Sequence, residues 1–165
     1  MQGSSYYHTF ENFWYSSDGV KMDYSGHDSA FERNLVVVNA YDGQNCINGG
    51  GFPPGHRSNF TGNRCIIAGC RGSPRSNLHG PCEDRIGNFG CDAEDLAGSL
   101  AQSWLLAGNS YHTAHGNASL PCGVTVADAA ARAAAAGGGP ELGSAGLPLP
   151  SDAQLVAFAK QTLGM

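Results

Sequence analysis

Short apolar runs, each bounded by Gly, Asn or Asp, dominate the first three quarters of the chain. In Val20-Lys21-Met22-Asp23-Tyr24 apolar and polar residues alternate, the period of a half-buried strand. Val20, Met22 and Tyr24 then share an inward face, and Lys21 and Asp23 the outward one. Leu35–Val38 and Arg64–Ile67 are rich in β-branched residues and also read as strands. The chain repeats itself around them. Phe31-Glu-Arg-Asn34 leads into the first and Phe60-Thr-Gly-Asn63 into the second, with a Gly nine residues after each Asn, at Gly43 and Gly72. Shorter echoes start at Asn12 and Asn109, each reaching a Gly seven residues on. These asparagines are 22, 29 and 46 residues apart. A period in the low twenties with one β-rich run per unit predicts an all-β solenoid, whose units bury their apolar faces only by stacking. The asparagines are expected to stack as a ladder at the turns, with Trp14, Val36 and Cys65 in one inward column.

The pattern changes near residue 123, after which 12 of 43 residues are Ala. Thr125-Val-Ala-Asp128 reads as a capping box opening a helix that stops at Gly137. Ser151-Asp-Ala-Gln154 opens a second helix, with Leu155, Phe158, Ala159, Thr162 and Leu163 as one apolar stripe and Gly164 as its stop. That stripe predicts packing over an open end or flank of the β region. Residues 137–150 read as a linker. Leu96, Leu100, Trp104 and Ala107 recur at helical spacing and predict an inserted helix at about 93–107. The domain expectation is therefore β units over 1–122 and an Ala/Gly-rich helical cap and linker over 123–165.

Composition narrows the function classes. Leu, Ile, Val and Phe supply only 30 of 165 residues and Gly 24, a thin core with many turns. A charged fraction of 14% with 9% aromatics is unlike a disordered chain. The net charge of −5 argues against a general nucleic-acid binder. No stretch reads as membrane-spanning, and no signal peptide is visible in the opening residues. The spacings of the six cysteines match no common zinc template. Disulfides of a secreted protein suit them better than free thiols do, although fifteen pairings are open. Two sequons, at Asn59 and Asn117, point weakly the same way.

Lys21-Met-Asp-Tyr-Ser-Gly-His-Asp28, Tyr41-Asp-Gly-Gln-Asn-Cys-Ile-Asn48 and Asn63-Arg-Cys65 resemble right-handed parallel β-helix proteins of the pectate-lyase-like superfamily, most nearly an uncharacterised algal and protist group. Gly108-Asn-Ser-Tyr111, Cys122-Gly123 and Pro150-Ser-Asp152 through Gly164 resemble that group's C-terminal portion. The resemblance implies a right-handed parallel β-helix with C-terminal helices and a Cys46–Cys65 disulfide between neighbouring units. It also implies an extracellular or cell-wall setting.

The candidate chemistry centres on Lys21, Asp23, His27 and Asp28 as catalytic residues, with Tyr24 nearby. Lys21, Asp23 and His27 fall on one face of an extended chain. A cation neutralises a uronate carboxylate, an imidazole or amine takes the C5 proton, and an acid protonates the leaving oxygen, the logic of uronate lyases and epimerases. Hydrolysis would instead use two carboxylates, such as Asp23 and Asp28. From Gly43 to Pro81 there is no acid, but there are Arg57, Arg64, Arg71 and Arg75 with His56 and His79, a basic strip suited to an anionic glycan. Tyr24, His56, Arg57 and Arg64 are the expected substrate-binding residues. The plainer alternative is a set of surface salt pairs and solvated turns. Calcium, through Asp18, Asp23, Asp28 and Asp42, is the only cofactor these residues suggest. His112 and His115 lack partners for zinc. The expected partner is an acidic polysaccharide, with neither nucleic acid nor membrane. The alternative is a non-catalytic carbohydrate-binding or structural module.

Overall fold

The computed structural model describes residues 5–15, 19–22, 26–38, 45–49, 52–68, 84–101 and 104–165, and only the backbone of Lys21, Met22 and Ala101. Within them lie the strands β1 (His8–Phe10), β2 (Phe13–Tyr15), β3 (Val20–Met22), β4 (Ala30–Glu32), β5 (Leu35–Val38), β6 (Ile47–Gly49), β7 (Ser58–Thr61), β8 (Arg64–Ile67) and β9 (Gly87–Asn88). They are followed by helix α1 (Leu96–Ala101), strands β10 (Trp104–Ala107) and β11 (Ser110–Thr113), helix α2 (Val126–Ala135), strand β12 (Ala145–Pro148) and helix α3 (Asp152–Thr162). The strands form three parallel sheets, ordered β1-β4-β7-β10, β12-β11-β8-β5-β2 and β3-β6-β9.

Register follows the repeat. Phe31 pairs with Phe60, and Trp14, Val36, Cys65 and Tyr111 lie in one row across the second sheet. Val36, Cys65 and Tyr111 are buried and Trp14 packs against them, so the expected inward column is present. The asparagine ladder is present as well. Oδ1 of Asn34 accepts from the backbone N–H of Asn12, Asn63 Oδ1 from that of Asn34, and Asn109 Oδ1 from that of Asn63, at 2.9–3.0 Å. Ser144 Oγ ends the series by accepting from the Asn109 N–H at 2.9 Å. The residue before each rung is left-handed: Glu11, Arg33, Gly62, Gly108 and Gly143, with φ between 52° and 72°. That turn swings the chain from the first sheet into the second and aims the amide inward. Glu11 and Arg33 accept the strain of a side chain there and pair with each other at 3.0 Å.

The expectation of an all-β solenoid is corrected. The strands are divided among three separate parallel sheets, and three helices complete the fold, which is mixed α/β. The helices are integral for a packing reason. Alternate residues of a strand face opposite ways, so Val36 and Val38 enter the main core while Leu35 and Val37 face outward. Those two are nevertheless fully buried, together with Ile66, because Leu155, Phe158 and Ala159 of α3 cover them. Val126, Ala129 and Ala133 of α2 are buried, the first two within the main core.

The helix signals hold at their starts. Thr125 and Ser151 are N-caps, and Ser151 with Gln154 forms a capping box. Two expectations fail. The helix placed at 93–107 spans only Leu96–Ala101, and Trp104–Ala107 is strand β10 on β7. Leu106-Ala-Gly-Asn109 repeats Phe60-Thr-Gly-Asn63 in place, and this pairing outweighs the helical spacing. The linker assigned to 137–150 contains β12, which pairs with β11.

Cys46 and Cys65 form a disulfide with Cα atoms 6.1 Å apart, and Cys91 pairs with Cys122 at 5.3 Å. Two disulfides fit an oxidising compartment. Among the described residues no helix is long and apolar enough to cross a membrane.

Candidate functional site

The site grows from the β4–β7 register. These strands pair Ala30 with Asn59, an offset of 29 residues. The Asp28 N–H extends it by donating to the Arg57 carbonyl at 2.9 Å. Buried Ser29 and Ser58 continue it, the Ser29 N–H donating to Ser58 Oγ at 3.3 Å. The same offset carries His27 onto His56, and their rings lie 4.2 Å apart at 45°.

Asp28 stands between them. Its backbone is left-handed, φ 52°, a conformation that Asp tolerates better than most residues. Its Oδ2 lies 2.8 Å from His27 Nδ1 and 2.6 Å from His56 Nδ1. An ionised carboxylate only accepts, so both Nδ1 atoms donate, and the neutral rings have Nε2 as their basic nitrogen. The hydrogen bond from His56, then that from His27, holds the Asp28 carboxyl below its ordinary value, against an opposing effect of desolvation. The His27, Asp28 and His56 side chains are 19%, 29% and 41% exposed, so solvent and solutes reach all three. The Tyr6 ring meets His27 edge-on at 5.7 Å.

Of the expected site residues, His27, Asp28 and His56 come together; Arg57, next in the chain after His56, is exposed. The Lys21 backbone is in β3, paired with Asn48, and its side chain is outside the description. Asp23 and Tyr24 lie outside the described residues, as do Asp18, Asp42, Arg71, Arg75 and His79. Arg64 opens β8 and lies under α3, with its guanidinium 3.7 Å from the Phe158 ring centroid. Desolvation there lowers its pKa, and the side chain is half-buried. His112 Nδ1 donates to the Pro148 carbonyl at 2.8 Å, whereas His115 faces Asp84, so the two do not converge. Tyr6 and Tyr7, 74% and 56% exposed, were not among the expected residues. The only sequence signal for them is an aromatic pair within a polar opening.

No family model matches the chain, and neither a curated protein nor a solved structure does. The resemblance therefore rests on the quoted residues alone.

Proposed function

We propose that the protein acts on an acidic polysaccharide in an extracellular or cell-wall setting, with the His27–Asp28–His56 cluster moving a proton on a uronate unit. The observation that carries this reading is the shared Asp28 Oδ2, which fixes both imidazoles in one tautomer. His56 is the more exposed of the two and is the natural base. Its Nε2 takes the C5 proton while exposed Arg57 neutralises the uronate carboxylate. The electron pair then expels the C4 oxygen, which takes a proton, or the carbanion is reprotonated on its other face.

The second reading is a non-catalytic glycan-binding surface, favoured by exposed Tyr6, edge-on to His27, and by exposed Tyr7 after it in the chain. Loss of the C5 proton, either to solvent deuterium or in forming a C4–C5 double bond, separates the two. The enzyme shows one or the other, and His56→Ala abolishes both. A binder retains polyuronate with its C5 proton intact.

A further inference from the structure

The same three side chains present a donor set that proton transfer does not require. One ligand atom each from His27, Asp28 and His56 lies within 4.8 Å of the others. We propose that these residues bind a divalent transition-metal ion of the zinc and cobalt class, through two imidazole nitrogens and one carboxylate oxygen. This goes beyond the glycan reading and does not depend on it.

The donor chemistry selects the ion. Calcium and magnesium take oxygen ligands, whereas two imidazoles with one carboxylate suit zinc, cobalt or nickel. Three protein ligands leave coordination positions for water or a solute, as reactive sites have and closed structural sites lack. The partial exposure of all three side chains keeps those positions accessible. The ligands are already convergent. Asp28 is fixed by its N–H to the Arg57 carbonyl, and both Nδ1 atoms already sit on its carboxylate. Metal uptake requires each neutral ring to move its proton from Nδ1 to Nε2 and the Nδ1 atoms to draw back from Asp28 Oδ2, which they approach to 2.6–2.8 Å. A metal-loaded site therefore does not use His56 Nε2 as a base.

The test uses the whole protein, stripped with a chelator and moved to metal-free buffer. It is titrated with Co2+, followed by visible absorbance, and with Zn2+, followed by calorimetry. One equivalent of each is expected to bind, with no response to Ca2+. Asp28→Asn and His56→Ala should each weaken binding by roughly 10- to 100-fold or more, while His115→Ala, distant in role and 72% exposed, should not. Circular dichroism checks folding, and His56→Gln replaces the alanine variant if that one unfolds. Absence of saturable binding in the parent, or equal affinity in parent, Asp28→Asn and His56 variants, overturns the proposal. Metal binding with the C5 proton neither exchanged nor eliminated sustains it and defeats the glycan-processing reading.

Discussion

Asn34 donates both its backbone N–H and its side-chain amide to Oδ1 of Asn63, at 2.9 and 3.0 Å. Asn63 in turn donates its amide to the Phe31 carbonyl at 2.8 Å. One buried side chain therefore satisfies groups on both sides of the turn at Arg33 in the neighbouring repeat. Asn63→Ala would leave a buried N–H and a buried carbonyl without partners, each costing about 1–3 kcal/mol. A loss of about 3 kcal/mol is expected in urea unfolding. Asn12→Ala, at the half-buried end of the ladder, should cost about 1 kcal/mol. Equal small losses at both positions would show that the ladder follows the fold instead of holding it.

The Cys46–Cys65 bond closes a separation of 19 residues, and Cys91–Cys122 one of 31. Chain-entropy reasoning assigns each about 3 kcal/mol. Replacing either pair by alanine should lower the unfolding free energy by that amount without altering the sheets. A Cys46→Ala/Cys65→Ala protein as stable as its parent would refute this.

Glu141 is fully buried, accepts from the Tyr111 hydroxyl at 3.0 Å, and has no partner for Oε2 among the described residues. Burial pushes its carboxyl up from 4.5 to about 7. Between those values the folded protein holds a proton that the unfolded chain has lost. Stability contributed by the protonated form is therefore complete below pH 4.5 and declines as pH rises toward 7, by roughly 3 kcal/mol. Glu141→Gln should flatten that slope in unfolding curves taken at pH 5, 6, 7 and 8. An unchanged slope would mean that Glu141 does not titrate in this window.

The ladder and the Trp14–Val36–Cys65 row were legible because identical residues recur at fixed offsets and stack in parallel register. The helix starts were legible because caps are local chemistry. The division into sheets was not, since a short apolar run such as Leu35–Val38 does not reveal that a distant helix covers its outer face. Strand β10 was lost to a helical spacing shared by chance by Leu96, Leu100 and Trp104. The candidate site was legible residue by residue but not as one cluster. The offset of 29 between Asn34 and Asn63 already carries His27 onto His56, yet neither histidine lies in a periodic run that draws attention to it.

Phe158 links α3 to the second sheet by stacking on the Arg64 guanidinium and meeting His112 at 5.6 Å. No residue of α3 is fully buried, and Leu155, Phe158 and Ala159 together make its apolar contact with the sheet. Phe158→Ala is expected to cost about 1–3 kcal/mol and to open α3 to limited proteolysis ahead of the rest of the chain. Cleavage at the parent's rate would assign the docking to Leu155 and Ala159 instead.

Lyase and epimerase chemistry share one event, loss of the uronate C5 proton. Incubating a polyuronate with the protein in D2O and following that proton by NMR therefore tests the account most directly. The parent should replace the C5 proton with deuterium or consume it in forming a C4–C5 double bond, and His56→Ala, still folded, should do neither. An intact C5 signal with the parent protein across a panel of acidic polysaccharides would contradict proton transfer at the His27–Asp28–His56 cluster.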